Sequence, residues 1–382
     1  MQSLVDTRLF LIFDKKQDCF NLSILGHIVY IEEHKNEVMV MAKRIPYYVS
    51  GHTAEGFVNY LFENLQGIQH VIVLQHENEP ALTVVFQHVA EAYEKKGETV
   101  EVISGLEHED TLAGVILRGL NTAILASSVL PTSISSATVI DIENYMMEAE
   151  KAHNRDQEKE ILDTVYAFFK KGLEYHDELE KIFIQEMDFA RADEITKDFI
   201  HKLLHDADRK NRQPIVHERL FGTNTSDGKV NHVSALIAPF QNVYYVKGRA
   251  GTGKSVFMKK ILKACKSYGY DIEMYRCSFD PSSVDMIIVR DLDFCVFDST
   301  PPHEFFPDSD QGEVIDFYDL TVTQGTDEKY QEEIAYWTEK YQSEMKKGMQ
   351  ELKALKQVYG EPSVNFYVES VLDTIYDKLD KT

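Results

Sequence analysis

Membrane-length hydrophobic runs are missing from this 382-residue chain. The apolar stretches Leu9–Phe13 and Val38–Ala42 are strand-sized, far short of the ~20 residues that a spanning helix needs. Cysteine is scarce: Cys19, Cys265, Cys277 and Cys295 are the only four, and no two stand at CxxC spacing. A zinc ribbon and a disulfide framework are thereby disfavoured, and a reducing compartment is expected. Positive charge is short as well, with 40 Lys plus Arg against 63 Asp plus Glu and a net charge of −23. That balance argues against a surface that grips nucleic acid or an anionic membrane over its whole extent. The segment before Asp14 carries Asp6 and Arg8 and no small-residue cleavage site. It does not read as a signal peptide, and the expected location is cytoplasmic.

What the chain does have is core material. Apolar residues make up 43% and charged residues 27%, a globular composition with room for two or three domains. Residues 1–50 read as a β-rich segment, with a strand at Leu9–Phe13 and a hairpin formed by Ile28–Ile31 and Val38–Met41. Residues 51–205 begin with alternating strand and helix signals. Val71–Leu74, Val100–Ile103 and Thr122–Leu125 are short apolar runs, and a helix over 81–96 ends at Gly97. That rhythm predicts a parallel sheet covered by helices. Ile161, Val165, Phe168, Phe169, Leu179, Ile182, Phe183 and Met187 then recur at helical spacing, which predicts an appended helical segment over 146–205.

Residues 206–382 repeat this plan. Adding 172 to positions between about 53 and 131 carries Thr53 to Thr225, Gly56 to Gly228, Gly97 to Gly269 and Arg118 to Arg290 without a gap. The strand at Val71–Leu74 falls on Val243–Val246, and a second helical segment follows over 326–382. The chain therefore reads as a tandem duplication: two α/β units of P-loop type, each with its own helical segment, packed as a pseudo-symmetric pair.

The chemistry concentrates in the second unit. Gly248-Arg249-Ala250-Gly251-Thr252-Gly253-Lys254-Ser255 matches GxxxxGK[ST] in full and lies between a strand (Val243–Val246) and an amphipathic helix beginning at about Lys254. A wrapped loop with few Cβ atoms lets several backbone N–H groups point at one polyphosphate, and the helix N-terminus adds partial positive charge. In this reading Lys254 meets the β- and γ-phosphates, and the Ser255 hydroxyl helps to hold Mg²⁺. Phe294–Asp298 supplies the expected acid at the end of a buried strand, so Asp298 is the second metal-holding residue. Asp280, Asp285 and Glu304 are alternative general bases, and His303 is placed to sense the γ-phosphate. Arg249 can touch phosphate or point outward. Arg290, matched by Arg118, reads as a structural ion pair. His201 and His205 lack the Glu of a zinc motif. Lys254, Lys259, Lys260, Lys263 and Lys266 on the helix, and Arg209-Lys210-Asn211-Arg212 before the second unit, read as solvated basic faces rather than a nucleic-acid contact.

The first unit has lost the site. At the same offset Gly248 becomes His76, Gly253 becomes Ala81, Lys254 becomes Leu82, Ser255 becomes Thr83 and Asp298 becomes Ala126. It reads as a degenerate copy with a structural, interface or regulatory role.

Residues Phe221–Thr225 with Gly228, Gly248–Ser255, Cys277–Asp285 and Phe297–His303 resemble a poorly characterised family of bacterial tandem P-loop ATPases, common in Firmicutes. The resemblance spans about 205–320 and implies ATP binding and hydrolysis, with no settled substrate. That family has a P-loop-like unit in both halves; here the first lacks its glycines and lysine. The expected function is Mg²⁺-dependent ATP binding and hydrolysis by the second unit, driving a conformational change. A small-molecule phosphotransferase and a nucleotide-gated interaction module are the rivals. The expected partners are the nucleotide and a protein bound through the degenerate unit or the helical segments. No membrane contact is expected.

Overall fold

The structure, a computed structural model, describes residues 19–24, 27–32, 44–76, 78–147, 154–307, 312–359 and 364–381. The chain divides into two compact units, Met1–Met41 and Ala42–Thr382. The first contains an antiparallel hairpin of β1 (Cys19–Ile24) and β2 (His27–Glu32). The expected hairpin partner at Val38–Met41 and the expected strand at Leu9–Phe13 lie outside the described residues.

The second unit holds both α/β halves. In the first half β3 (Arg44–Tyr47), β4 (Ser50–Thr53), β5 (Gly56–Asn59) and α1 (Leu61–Asn64) lead to β6 (His70–Gln75) and α2 (Glu79–Glu94). Then come β7 (Val100–Ser104), β8 (Leu112–Leu117), β9 (Thr122–Ala126), β10 (Thr138–Asp141) and the helices α3 (Arg155–Ile184) and α4 (Phe189–Leu204). The second half repeats the series as β11 (Val216–Arg219), β12 (Gly222–Thr225), β13 (Gly228–Asn231), α5 (Val233–Ile237), β14 (Asn242–Lys247) and α6 (Lys254–Ser267). It continues with β15 (Ile272–Arg276), β16 (Val284–Val289), β17 (Phe294–Asp298), β18 (Glu313–Asp316), α7 (Phe317–Thr321), α8 (Thr326–Lys329), α9 (Gln331–Leu352), α10 (Leu355–Tyr359) and α11 (Val368–Leu379).

The two halves form six-stranded sheets of the same order, β10-β6-β9-β8-β7-β3 and β18-β14-β17-β16-β15-β11. Irregular details repeat too. A bulge after Ile103 is matched by one after Tyr275. The left-handed Asn121 and Asp293, both at φ 50°, sit 172 residues apart. Both sheets are mixed rather than parallel throughout, since β8 and β16 run antiparallel to both neighbours. The physical reason is the connection between β16 and β17. One 3₁₀ turn at Arg290–Leu292 and the left-handed Asp293 join them, whereas a parallel crossover needs a dozen or more residues. The first sheet also takes its edge strand from Arg44–Tyr47, paired with Val100–Ile103, ahead of the expected limit at residue 50.

Strand periodicity divides each sheet between two cores. Tyr244 and Val246, Ile287 and Val289, Phe294 and Val296 face α6 and α4 in one cluster. Their neighbours Val243, Tyr245, Met286, Ile288, Cys295 and Phe297 join Tyr47, Ile103, Ile116, Ala123 and Leu125 of the first half in a core common to both sheets. A pseudo-twofold relation runs through that core. Tyr48 and Leu220, which are equivalent positions, exchange two N–H···O bonds of 2.9 Å. Nearby Arg219, fully buried, donates to Glu101 at 2.8 Å and Glu273 at 2.9 Å.

The helical segments cross over instead of covering their own halves. Phe199 and Leu204 of α4 pack with Phe257 and Ile261 of α6. Reciprocally, Val371, Leu372, Ile375 and Leu379 of α11 pack with Leu82, Phe86 and Val89 of α2. The long helices α3 and α9 lie against each other through Val165, Phe169, Met345 and Leu352. Helical periodicity specifies an apolar stripe but not which neighbour receives it. Among the described residues no helix is long and apolar enough to cross a membrane.

Candidate functional site

The 248–255 segment leaves the C-terminal end of β14 and turns directly into α6. Gly251 at φ 73° and Gly253 at φ 83° adopt the left-handed region, where a side chain is strained. Gly253 occupies the N-cap of α6, and among the described residues no side chain caps that terminus; its first N–H groups have no partner within the helix. The adjacent parallel strand β17 sets Asp298 beside Val246 in register, which places loop and acid at the same sheet end. Lys254 Nζ lies 3.7 Å from Asp298 Oδ2 and donates to the Arg249 carbonyl at 2.8 Å and the Gly248 carbonyl at 3.3 Å. Ser255 Oγ accepts from the Val284 N–H at 3.0 Å, and Asp298 Oδ1 accepts from the Thr300 hydroxyl at 2.7 Å. Both potential metal-holding side chains are thus fixed at one edge of the cavity. A hydroxyl and a carboxylate are the oxygen donors that Mg²⁺ prefers, so the residues present fit that ion.

The same lattice in the first half is closed. Leu112 N–H donates to Thr83 Oγ1 at 3.0 Å, the counterpart of the Val284–Ser255 bond. Yet α2 is capped by its own Asn78, whose side chain accepts from Ala81 N–H at 3.3 Å, and Pro80 removes another donor. Ala81, Leu82 and Ala126 are buried in a core sealed by α11.

The cavity over the loop measures about 890 Å³ and is lined by both halves. The sequence contained no signal for the contribution of α3. A Cβ on Gly251 would stand 2.6 Å from the Glu180 carbonyl oxygen, so the helix is seated on the loop tip. Burial raises the Glu180 pKa, Asp177 and Asp280 add to the rise, and Lys254 and the nearby Gly251 N–H oppose it. His176 sits edge-on to Phe279 and Tyr341, and burial, with Lys254 nearby, lowers its pKa. His176, Asp177 and Glu180 bring donor atoms within 4.8 Å of one another, a second face able to hold a cation.

The alternative bases separate cleanly. Asp285, on β16, is 6% exposed; burial, then the neighbouring Asp298, pushes its pKa up to about 7, while the Cys277 thiol and Lys254 oppose the rise. Asp280 lines the cavity, but its oxygens accept from Ser282 N–H and from the Ser282 and Ser283 hydroxyls. Glu304 instead pairs with Lys247 at 2.9 Å. His303 lines the cavity, and its Nε2 is buried without a hydrogen-bond partner among the described residues; burial lowers its pKa. Arg249 turns outward to Asp327 at 2.7 Å. Arg290 binds Glu273 as Arg118 binds Glu101. His201 and His205 stack on α4 with exposed side chains. Lys210 and Arg212 pair with Asp291 and Asp271, and Lys260 with Asp193, so these basic residues are partly neutralised in place.

Set beside known proteins, the chain matches no family model, no curated protein and no solved structure, and what the site does rests on its own geometry.

Proposed function

We propose that the second half binds a magnesium nucleoside triphosphate, ATP in the first instance, and hydrolyses it, with turnover coupled to movement of α3. The same reading makes the chain kin to the tandem P-loop ATPases that its 205–320 segment resembles. The observation that carries the reading is the uncapped helix start behind a glycine loop, with Lys254 only 3.7 Å from Asp298. The loop N–H groups and the α6 terminus take up phosphate oxygens. Lys254 exchanges its two carbonyl acceptors for the β- and γ-phosphates. Ser255 and Asp298 hold the magnesium ion, which neutralises phosphate charge when bound. Asp285 accepts the proton of the attacking water as its oxygen bonds to the γ-phosphorus. The bond to the β–γ bridging oxygen breaks, and the nucleoside diphosphate departs. A base titrating near 7 suits that step at physiological pH. Because the Glu180 turn of α3 is seated against Gly251, a triphosphate entering the loop presses on α3. Nucleotide occupancy is thereby linked to the position of α3 and its partner α9.

The test is a nucleotide panel scored for thermal stabilisation with and without magnesium. At ligand 100 times Kd, binding adds ~2.7 kcal/mol. Calorimetry should find one site per chain, abolished by Lys254→Ala. Two sites of similar affinity would refute the degenerate-copy reading. The cavity volume favours one second reading, phosphoryl transfer to a small acceptor beyond Asp285. Product analysis with candidate acceptors separates it from hydrolysis.

A further inference from the structure

The cavity has two unlike ends. Its deep end is polar: Lys254 and Asp298 have side chains only 11% and 14% exposed, and Asp285 and His303 lie with them. Its other end is an apolar shelf on the solvent side. Val256, the residue after Ser255, is 54% exposed; Phe189, the first residue of α4, is 59% exposed; Ile184, the last of α3, is 41% exposed. All three line the same cavity as the phosphate loop. The corner between α3 and α4 touches the loop, since the Met187 methyl would lie 3.3 Å from a Cβ on Gly253. Large exposed apolar side chains gathered at the mouth of a charged cavity mark a surface that something covers. If the γ end of a triphosphate faces Lys254 and Asp298, its nucleoside end emerges past Ser255 at Val256. The occupant that continuity selects is the nucleobase.

We propose that the Ile184–Phe189–Val256 shelf receives the base by its face, with Phe189 as the stacking residue, and that adenine and guanine are held nearly alike. The proposal rests on the triphosphate reading above and adds to it where the base sits and how it is read. Weak discrimination follows from the groups at the shelf. The two polar side chains that α4 brings to the cavity are Asp193 and Thr196. Asp193 is ion-paired with Lys260, and the Thr196 hydroxyl donates to the Ala192 carbonyl at 2.7 Å. Strong base selection needs pre-placed donors and acceptors that would be left unpaired by the wrong edge, whereas stacking accepts any π-face. Two of the shelf's three residues, Ile184 and Phe189, come from the first half's helices and Val256 from α6, so the degenerate half shares in base recognition with its active counterpart.

Calorimetric competition tests this with ATP, GTP and inorganic tripolyphosphate, all with magnesium, on the full chain and on Phe189→Ala and Phe189→Trp. Phe189 is exposed, so both variants fold. The expected result is ATP and GTP affinities within about threefold in the wild type. Phe189→Ala should weaken both about tenfold, ~1.4 kcal/mol, leave tripolyphosphate unchanged, and be rescued by Phe189→Trp. An unchanged ATP affinity in Phe189→Ala, an equal loss for tripolyphosphate, or an ATP-to-GTP ratio above about thirtyfold overturns the proposal while leaving the phosphate loop standing. A wild type that binds neither tripolyphosphate nor nucleotide overturns both.

Discussion

Replacing Arg219 by methionine should bring the whole second unit close to unfolding, although Arg219 does not line the cavity over the glycine loop. The guanidinium is fully buried. It donates to Asn64 Oδ1 at 2.7 Å, Glu101 at 2.8 Å and Glu273 at 2.9 Å, and it lies 3.8 Å from the Tyr47 ring centroid. Methionine keeps much of the volume and removes the charge. Glu101 keeps Arg118 and Glu273 keeps Arg290, but the two carboxylates lose the cation between them. Removing one partner from a buried ionic cluster costs about 3–5 kcal/mol, against a total stability of ~5–15 kcal/mol. The pH dependence has a definite sign. Burial alone would raise the pKa values of Glu101 and Glu273, yet Arg219 and a second arginine beside each hold both below the usual carboxylate range. Their contribution is therefore present above the unfolded value near 4.3 and lost as pH falls toward the folded values. The penalty of Arg219→Met should be largest at neutral pH and shrink on acidification. Urea titrations at pH 7.5 and pH 3 measure it. A loss below about 1 kcal/mol at pH 7.5, or a penalty that grows in acid, would refute the reasoning. Adding Glu101→Gln and Glu273→Gln should recover part of the loss at pH 7.5.

Three further outcomes follow from the site. Glu180→Gln removes a negative charge that lines the cavity beside the loop and should tighten triphosphate binding several-fold, on the order of 1 kcal/mol; weaker binding would show that Glu180 assists the ligand. Asp285→Asn should abolish the acid limb, near pH 7, of single-turnover hydrolysis. It should also raise stability at pH 8 by about 1–3 kcal/mol, because a carboxyl with a raised folded pKa favours folding below its unfolded value and loses that contribution as pH rises through about 7. Leu82→Ala, in the first half's core, should cost about 2–5 kcal/mol in a denaturant titration and leave nucleotide affinity unchanged.

The placement of the loop between strand and helix, and of Asp298 at the end of the neighbouring strand, was legible because glycines and an acid stand at fixed spacing beside apolar runs. The duplication was legible because the connections from Thr53 onward keep one length. Strands β8 and β16 were missed. Leu112–Leu117 and Val284–Val289 carry no turn signal strong enough to separate them from the strands that follow, and their reversed direction depends on a left-handed residue rather than on apolar periodicity. Glu180 was invisible for a different reason. It stands in α3, 71 positions before its contact with Gly251, and a carboxylate on a charged helix face has no local signature. The exchange of α4 and α11 between halves was unreadable on the same grounds.

That exchange sets an order of events at the ribosome. When residue 205 has been polymerised, the first sheet is present but the helix that seals α2 is still some 160 codons away, at Val368–Leu379. The half made first thus waits on the second, and until Val368–Leu379 has been made Leu82, Phe86 and Val89 lack the cover of α11. A premature stop just ahead of Val368 would spare every residue of the 248–255 loop and still strip α2 of its covering helix.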